Sequence, residues 1–77
     1  MQKQSPDEQL AALLRSAREK AGMSQRSMAY RLGTNQTQVS MIENAKQHVK
    51  VADLIEWCRL TGGDPLEMLK LILNRVE

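Results

Sequence analysis

"GMSQRSMAYRLGTNQTQVSMIENAK", residues 22–46, decides how this chain is read. Ser24 is an N-cap residue type, and Met28, Ala29 and Leu32 share one face of the helix it would open. Gly33 stops that helix. Thr34 or Asn35 then caps another; if Asn35 is the cap, Gln38 falls at the capping-box position. Val39 and Ile42, three apart, face inward. Only two or three residues join the helices, so they must cross steeply, with Gly33 supplying the positive φ of the turn. Ala29 is small where the two approach. What remains outward is unusual: Asn35 to Ser40 reads Asn, Gln, Thr, Gln and Ser around a single Val. Amides and hydroxyls stand where Glu and Lys normally solubilise a helix. Gln36, Thr37, Ser40 and Met41 make up the exposed face near its start.

The flanks continue as helices. In "SPDEQL", residues 5–10, Ser5 caps, Pro6 suits the first turn and Glu8 completes a capping box. Leu10, Leu13, Leu14, Ala17 and Ala21 then recur at threes and fours, and Gly22 ends the segment. After a polar connection over 45–50, a fourth helix is predicted over about 51–61, with Val51, Leu54, Ile55 and Cys58 inward. Gly62 and Gly63 break it. Asp64, Pro65 and Glu67 open a fifth helix that runs to about Arg75. No stretch alternates convincingly enough for a strand, and no internal repeat is visible. The expected fold is all-α, a compact five-helix domain over 1–77.

Composition narrows the function classes. The 77 residues permit one domain with a modest core. The only aromatics are Tyr30 and Trp57, so that core is aliphatic. Trp57 is expected to close the core or contact helix five, and Tyr30 to be exposed. Net charge is +2, but residues 1–50 hold eight Lys/Arg against four Asp/Glu, while 51–77 hold three against five. Positive charge thus gathers in the half with the polar helix face, which points to a polyanionic partner. The single cysteine, Cys58, excludes an intramolecular disulfide and a Cys-rich zinc site, and the lone His48 has no partner for a metal. No apolar signal segment opens the sequence and no run approaches the ~20 apolar residues of a membrane span. A cytoplasmic protein with no cofactor is expected. There is no nucleophile–base set and no glycine-rich phosphate loop, so the sequence reads as a non-enzyme.

Residues 22–46 resemble the helix-turn-helix of the phage-repressor and Cro-like (XRE-type) DNA-binding family. The resemblance extends from about Leu13 to Leu60. It is carried by Ser24-Gln25, Ala29, Gly33, Val39, Ile42 and Glu43, with the motif itself over about 24–44. It implies that the second motif helix enters the major groove of double-stranded DNA and reads base edges. Gln pairs with adenine in bidentate fashion, Ser and Thr donate or accept at several bases, and Met packs on a thymine methyl. Gln36, Thr37, Ser40 and Met41 are therefore the candidate base-reading residues. Asn35 and Gln38 are expected to cap or touch phosphate. Gln25 and Arg26, at a helix start without acids, suit a phosphate. Lys46 and Lys50, with His48 between them, are placed to reach the other flank. Glu43 is expected to tether a neighbouring element, because its charge would repel DNA.

Three departures stand out. Ala45 replaces the family's usual Gly, and Val49-Lys50 its usual Pro-Ser, which predicts a different path for the loop over 45–50. Arg is absent from 35–43, so Arg-to-guanine pairing is missing. Helix five, the C-terminal segment over 64–76, carries Leu66, Leu69, Leu73 and Val76 on one line and Met68, Leu71 and Ile72 beside it. That is more apolar circumference than one core contact uses. Met68, Leu71 and Ile72 are accordingly assigned to a homodimer interface. The expectation is a transcriptional regulator, a repressor acting as a dimer on a pseudo-palindromic operator. The alternative is an antitoxin or adaptor that uses the same fold mainly to bind another protein.

Overall fold

Local capping chemistry starts the helices of the computed structural model, which describes residues 4–75. Ser5 accepts from the Glu8 N–H while Glu8 accepts from the Ser5 N–H, the complete capping box that opens α1 (Pro6–Lys20). Ser24 accepts from the Ser27 N–H at 3.0 Å and opens α2 (Gln25–Leu32). Asn35 accepts from the Gln38 N–H at 2.9 Å and opens α3 (Gln36–Glu43). No side chain caps α4 (Val51–Thr61). Asp64 accepts from the Leu66 N–H at the start of α5 (Pro65–Arg75). No strand occurs among the described residues, so the fold is all-α.

The helix ends are equally local. Gly33 takes φ 74°, and the Thr34 N–H reaches back to the Ala29 carbonyl at 2.9 Å, turning the chain sharply from α2 into α3. Ala45 does the same after α3, at φ 57°, with the Lys46 N–H on the Met41 carbonyl at 2.8 Å. At residue 45 alanine thus takes the left-handed conformation that a glycine adopts without a Cβ penalty.

The core is Leu14, Met28, Ala29, Val39, Ile42, Leu54, Trp57, Cys58 and Met68, with Leu10, Leu13, Ala17, Met23, Leu32, Val49 and Leu60 packed around it. Trp57 is fully buried at its centre, and its indole N–H donates to the Leu14 carbonyl at 2.9 Å. The ring and its hydrogen bond tie α4 to α1. Helix α1 packs on α3, α4 and α5, and α2 on α3 and α4.

Several expectations are corrected. Ala21 caps α1 in an exposed position and leaves the apolar face. Val51 and Ile55, expected inward, are 71% and 47% exposed. Trp57 fixes the rotation of α4 so that Leu54, Trp57 and Cys58 face in. Ile55 lies about 100° round from Leu54 and points elsewhere. Helix α5 is turned opposite to expectation: Met68 and Ile72, assigned to a dimer surface, are each 7% exposed and belong to the monomer. Met68 reaches in because Gly63 leaves room. A Cβ at Gly63 would lie 3.2 Å from the Met68 methyl, and the Cys58 thiol donates to the Met68 sulfur at 3.8 Å. Leu66, Leu69 and Leu73 are exposed instead; Leu71, the third residue assigned to the dimer surface, is 42% exposed on the other flank of Met68. Val76 lies outside the described residues. No helix among those described is long and apolar enough to cross a membrane.

Candidate nucleic-acid interface

Helix α3 owes its placement to two anchors. Val39 and Ile42 are buried, so the opposite side of this two-turn helix must face outward. Gln36 and Thr37 are exposed in its first turn, and Ser40 and Met41 are half-buried on its flank. The four expected base-reading residues thus fall along one side of the helix, outside the core. The Ser40 hydroxyl oxygen accepts from the Asn44 side-chain amide at 3.3 Å, which leaves its O–H free to donate outward.

The second anchor was only half legible. Glu43 is buried and paired with Arg18, 25 residues earlier on α1. The pair is bidentate: Arg18 Nε donates to Glu43 Oε2, and Nη2 donates to Oε1 at 3.0 Å. Arg18 Nη1 donates to the Met23 carbonyl at 2.7 Å. The Glu43 hydrogen bond holds the Arg18 guanidinium above its ordinary pKa, against the opposing effect of burial. Glu43 therefore tethers the end of α3 to α1, as its charge suggested. Arg18 went unrecognised, since an Arg on a helix near Lys20 and Glu19 looks like any solvated charge.

The remaining candidates divide. Arg26, Lys46 and Lys50 are exposed. Neither α2 nor α3 carries an acid in its first turn, so both present N–H groups and a partial positive charge without local neutralisation. Asn35 and Gln38 meet at the start of α3, where the Asn35 side chain is engaged as the cap. Gln25 has unexpected partners: its Nε2 donates to Glu43 Oε1 at 3.0 Å, and its Oε1 accepts from Gln36 Nε2 at 3.5 Å. His48 lies 3.5 Å from Asp7, linking the loop after α3 to the start of α1. No group of three or more His, Cys, Asp and Glu that could hold a metal occurs among the described residues.

Comparison with known proteins agrees with this geometry. A sequence model described as a helix-turn-helix domain matches residues 9–71. An XRE-family like protein from Pseudomonas syringae pv. tomato is 35% identical, with 94% of this chain and 88% of that one covered, at a TM-score of 0.79. The clp gene regulator ClgR from C. glutamicum superposes at 0.82 with 23% identity over 97% of both chains. The restriction-modification controller protein C.AhdI from Aeromonas hydrophila superposes at 0.71 with 21% identity, over 79% of this chain and 88% of that one. No curated protein matches the sequence significantly. The two less identical structures share the fold, while the family model and the 35% identical relative go further: the chain belongs to the XRE-like family of helix-turn-helix DNA-binding regulators.

Proposed function

We propose that this protein is a sequence-specific transcriptional regulator, a repressor that binds a pseudo-palindromic operator as a homodimer. The observation that carries the reading is the outer side of α3. Gln36, Thr37, Ser40 and Met41 combine donors, acceptors and one apolar contact on a helix fixed by two buried anchors. That combination suits base edges in the major groove, whereas a merely solvated helix needs only charge. Arg26, Lys46 and Lys50 flank it in sequence and serve the phosphates, together with the free N–H groups at the start of α2. The structural neighbours described as a gene regulator and a controller protein support a regulatory role.

Dimerisation is assigned to Leu66, Leu69 and Leu73, one exposed stripe of α5, in place of the buried Met68 and Ile72. A two-fold pair would set two copies of α3 about one DNA turn, roughly 34 Å, apart. The same stripe would serve a protein partner in an adaptor or antitoxin. Selection from random-sequence duplexes with the purified protein tests the main reading. Enrichment of a two-fold-symmetric sequence is expected, and Leu69→Glu should leave a monomer that no longer binds both half-sites. Failure to enrich any sequence would overturn the reading. Stoichiometric co-purification of a different chain on α5 would favour the adaptor.

A further inference from the structure

We propose that the outer face of α2, formed by Arg26, Tyr30 and Arg31, lies along the phosphate backbone beyond the stretch that α3 reads, so that the protein grips more duplex than it reads. This rests on the DNA-binding role assigned above and adds two contacts to it, Tyr30 and Arg31.

The turn of the helix defines the face. At about 100° per residue, Arg26, Tyr30, Ser27 and Arg31 follow one another within about 140° of circumference. Met28 and Ala29, both buried, occupy the other side. All four outer residues are exposed, Tyr30 by 83%. One exposed tyrosine is ordinary. The charges around it are not. Arg15 pairs with Glu19 on α1, Arg59 with Glu56 on α4 and Lys70 with Glu67 on α5, each within one turn. Acids one turn from bases are the usual make-up of a solvated helix face. Helix α2 has Arg26 and Arg31 and no acid. From Lys20 to Ala52 the chain carries five Lys and Arg and a single acid, Glu43, which is buried and taken up by Arg18. Two arginines on a two-turn helix, with no acid near them in sequence, call for a polyanion.

Position favours the DNA backbone over an acidic protein. Gln25 Oε1 accepts from Gln36 Nε2 at 3.5 Å, so the start of α2 stands beside the start of α3. With α3 in the major groove, the helix before it crosses the backbone. Arg26 then meets the first phosphates. Tyr30, one turn of about 5.4 Å further on, and Arg31 follow the strand outward. The Tyr30 hydroxyl donates to a phosphate oxygen and Arg31 neutralises another. Such contacts fix register and add affinity without reading bases.

The experiment varies duplex length. An operator selected with the wild type is prepared trimmed to the sequence that selection fixes, and again extended by about one helical turn at each end. On the extended duplex, Arg31→Ala should flatten the slope of log K against log salt by about one per protomer. Tyr30→Phe, which removes only the hydroxyl, should weaken binding by about threefold to tenfold there. On the trimmed duplex both variants should match the wild type. Base preferences and melting temperatures should stay put. Lys70→Ala makes the same change of net charge away from α2 and should leave the slope as it is.

If Arg31→Ala keeps the wild-type slope on the extended duplex, or weakens both lengths alike, the face does not follow the flanking backbone and the proposal is overturned. Normal binding of both lengths together with lost repression would assign the face to an acidic protein, which also overturns it. If the wild type itself binds no duplex in a salt-dependent way, the DNA-binding role fails first, and this proposal with it.

Discussion

Replacing Ala45 by glycine should stabilise this protein, although Ala→Gly ordinarily destabilises a helical one. Ala45 sits just past α3 at φ 57°, the only non-glycine residue with positive φ among those described. The Lys46 N–H reaches the Met41 carbonyl and the Ala45 N–H the Ile42 carbonyl, so the helix end is closed in the way a glycine suits. The left-handed conformation costs a non-glycine residue about 1–2 kcal/mol through its Cβ. Glycine gives back about 0.4–1 kcal/mol, because its unfolded chain is freer. The net expectation is about 0.5–1 kcal/mol of stabilisation, and a domain of this length converts that to a rise in melting temperature of about 2–8 °C. Ala12 provides the control: it is exposed in the middle of α1, and Ala12→Gly should cost about 1 kcal/mol. Circular dichroism melts of the wild type and both variants decide the matter. If Ala45→Gly melts at or below the wild type while Ala12→Gly falls as expected, no strain resides at Ala45 and the reasoning is wrong.

Three further outcomes are expected. Arg18→Ala should destabilise by about 3–5 kcal/mol in urea titration, because it strands a buried Glu43 carboxylate, whereas Arg15→Ala, which breaks only the exposed pair with Glu19, should change stability by less than about 1 kcal/mol. Arg26→Ala should weaken specific and random duplexes alike and flatten the slope of log K against log salt by about one; an unchanged slope would remove Arg26 from the phosphate contacts. The Cys58 thiol is buried, and burial followed by the nearby Asp64 charge raises its pKa above the ordinary 9.0. The folded state thus favours the neutral thiol, so its contribution is intact below pH 9.0 and is lost as pH climbs above it. A disulfide reagent should label it only as fast as the domain opens, and Cys58→Ala should lessen the loss of stability above that pH.

Much of the candidate site was legible because it is built from local chemistry. Ser24 and Asn35 cap because their side-chain oxygens reach an N–H three residues on, whatever the rest of the chain does. Gly33 turns left-handed for want of a Cβ. Met28, Ala29, Val39 and Ile42 lie on the apolar side of short helices whose other sides are polar, so each helix had one way to face. The network behind Gln36 was not legible in the same way. Arg18, Gln25 and Glu43 sit on three helices, and no spacing rule joins residues 25 apart.

Five helices, the tight turn between α2 and α3 and the polar outer side of α3 follow from neighbouring residues alone, since caps, glycines and a two-sided pattern act within a few residues. The rotation of α4 and α5 does not. Both are apolar over more than half their circumference, so Val51 and Ile55 on one, and Leu66, Leu69, Leu73, Met68 and Ile72 on the other, fit several inward faces equally well by periodicity. The choice fell to long-range packing. Trp57 can bury its ring only with its N–H on the Leu14 carbonyl, and Met68 can enter only beside Gly63 against Cys58. Those contacts turn Met68 and Ile72 inward and leave Leu66, Leu69 and Leu73 outside, because a helix buries the face its partner helices can fill.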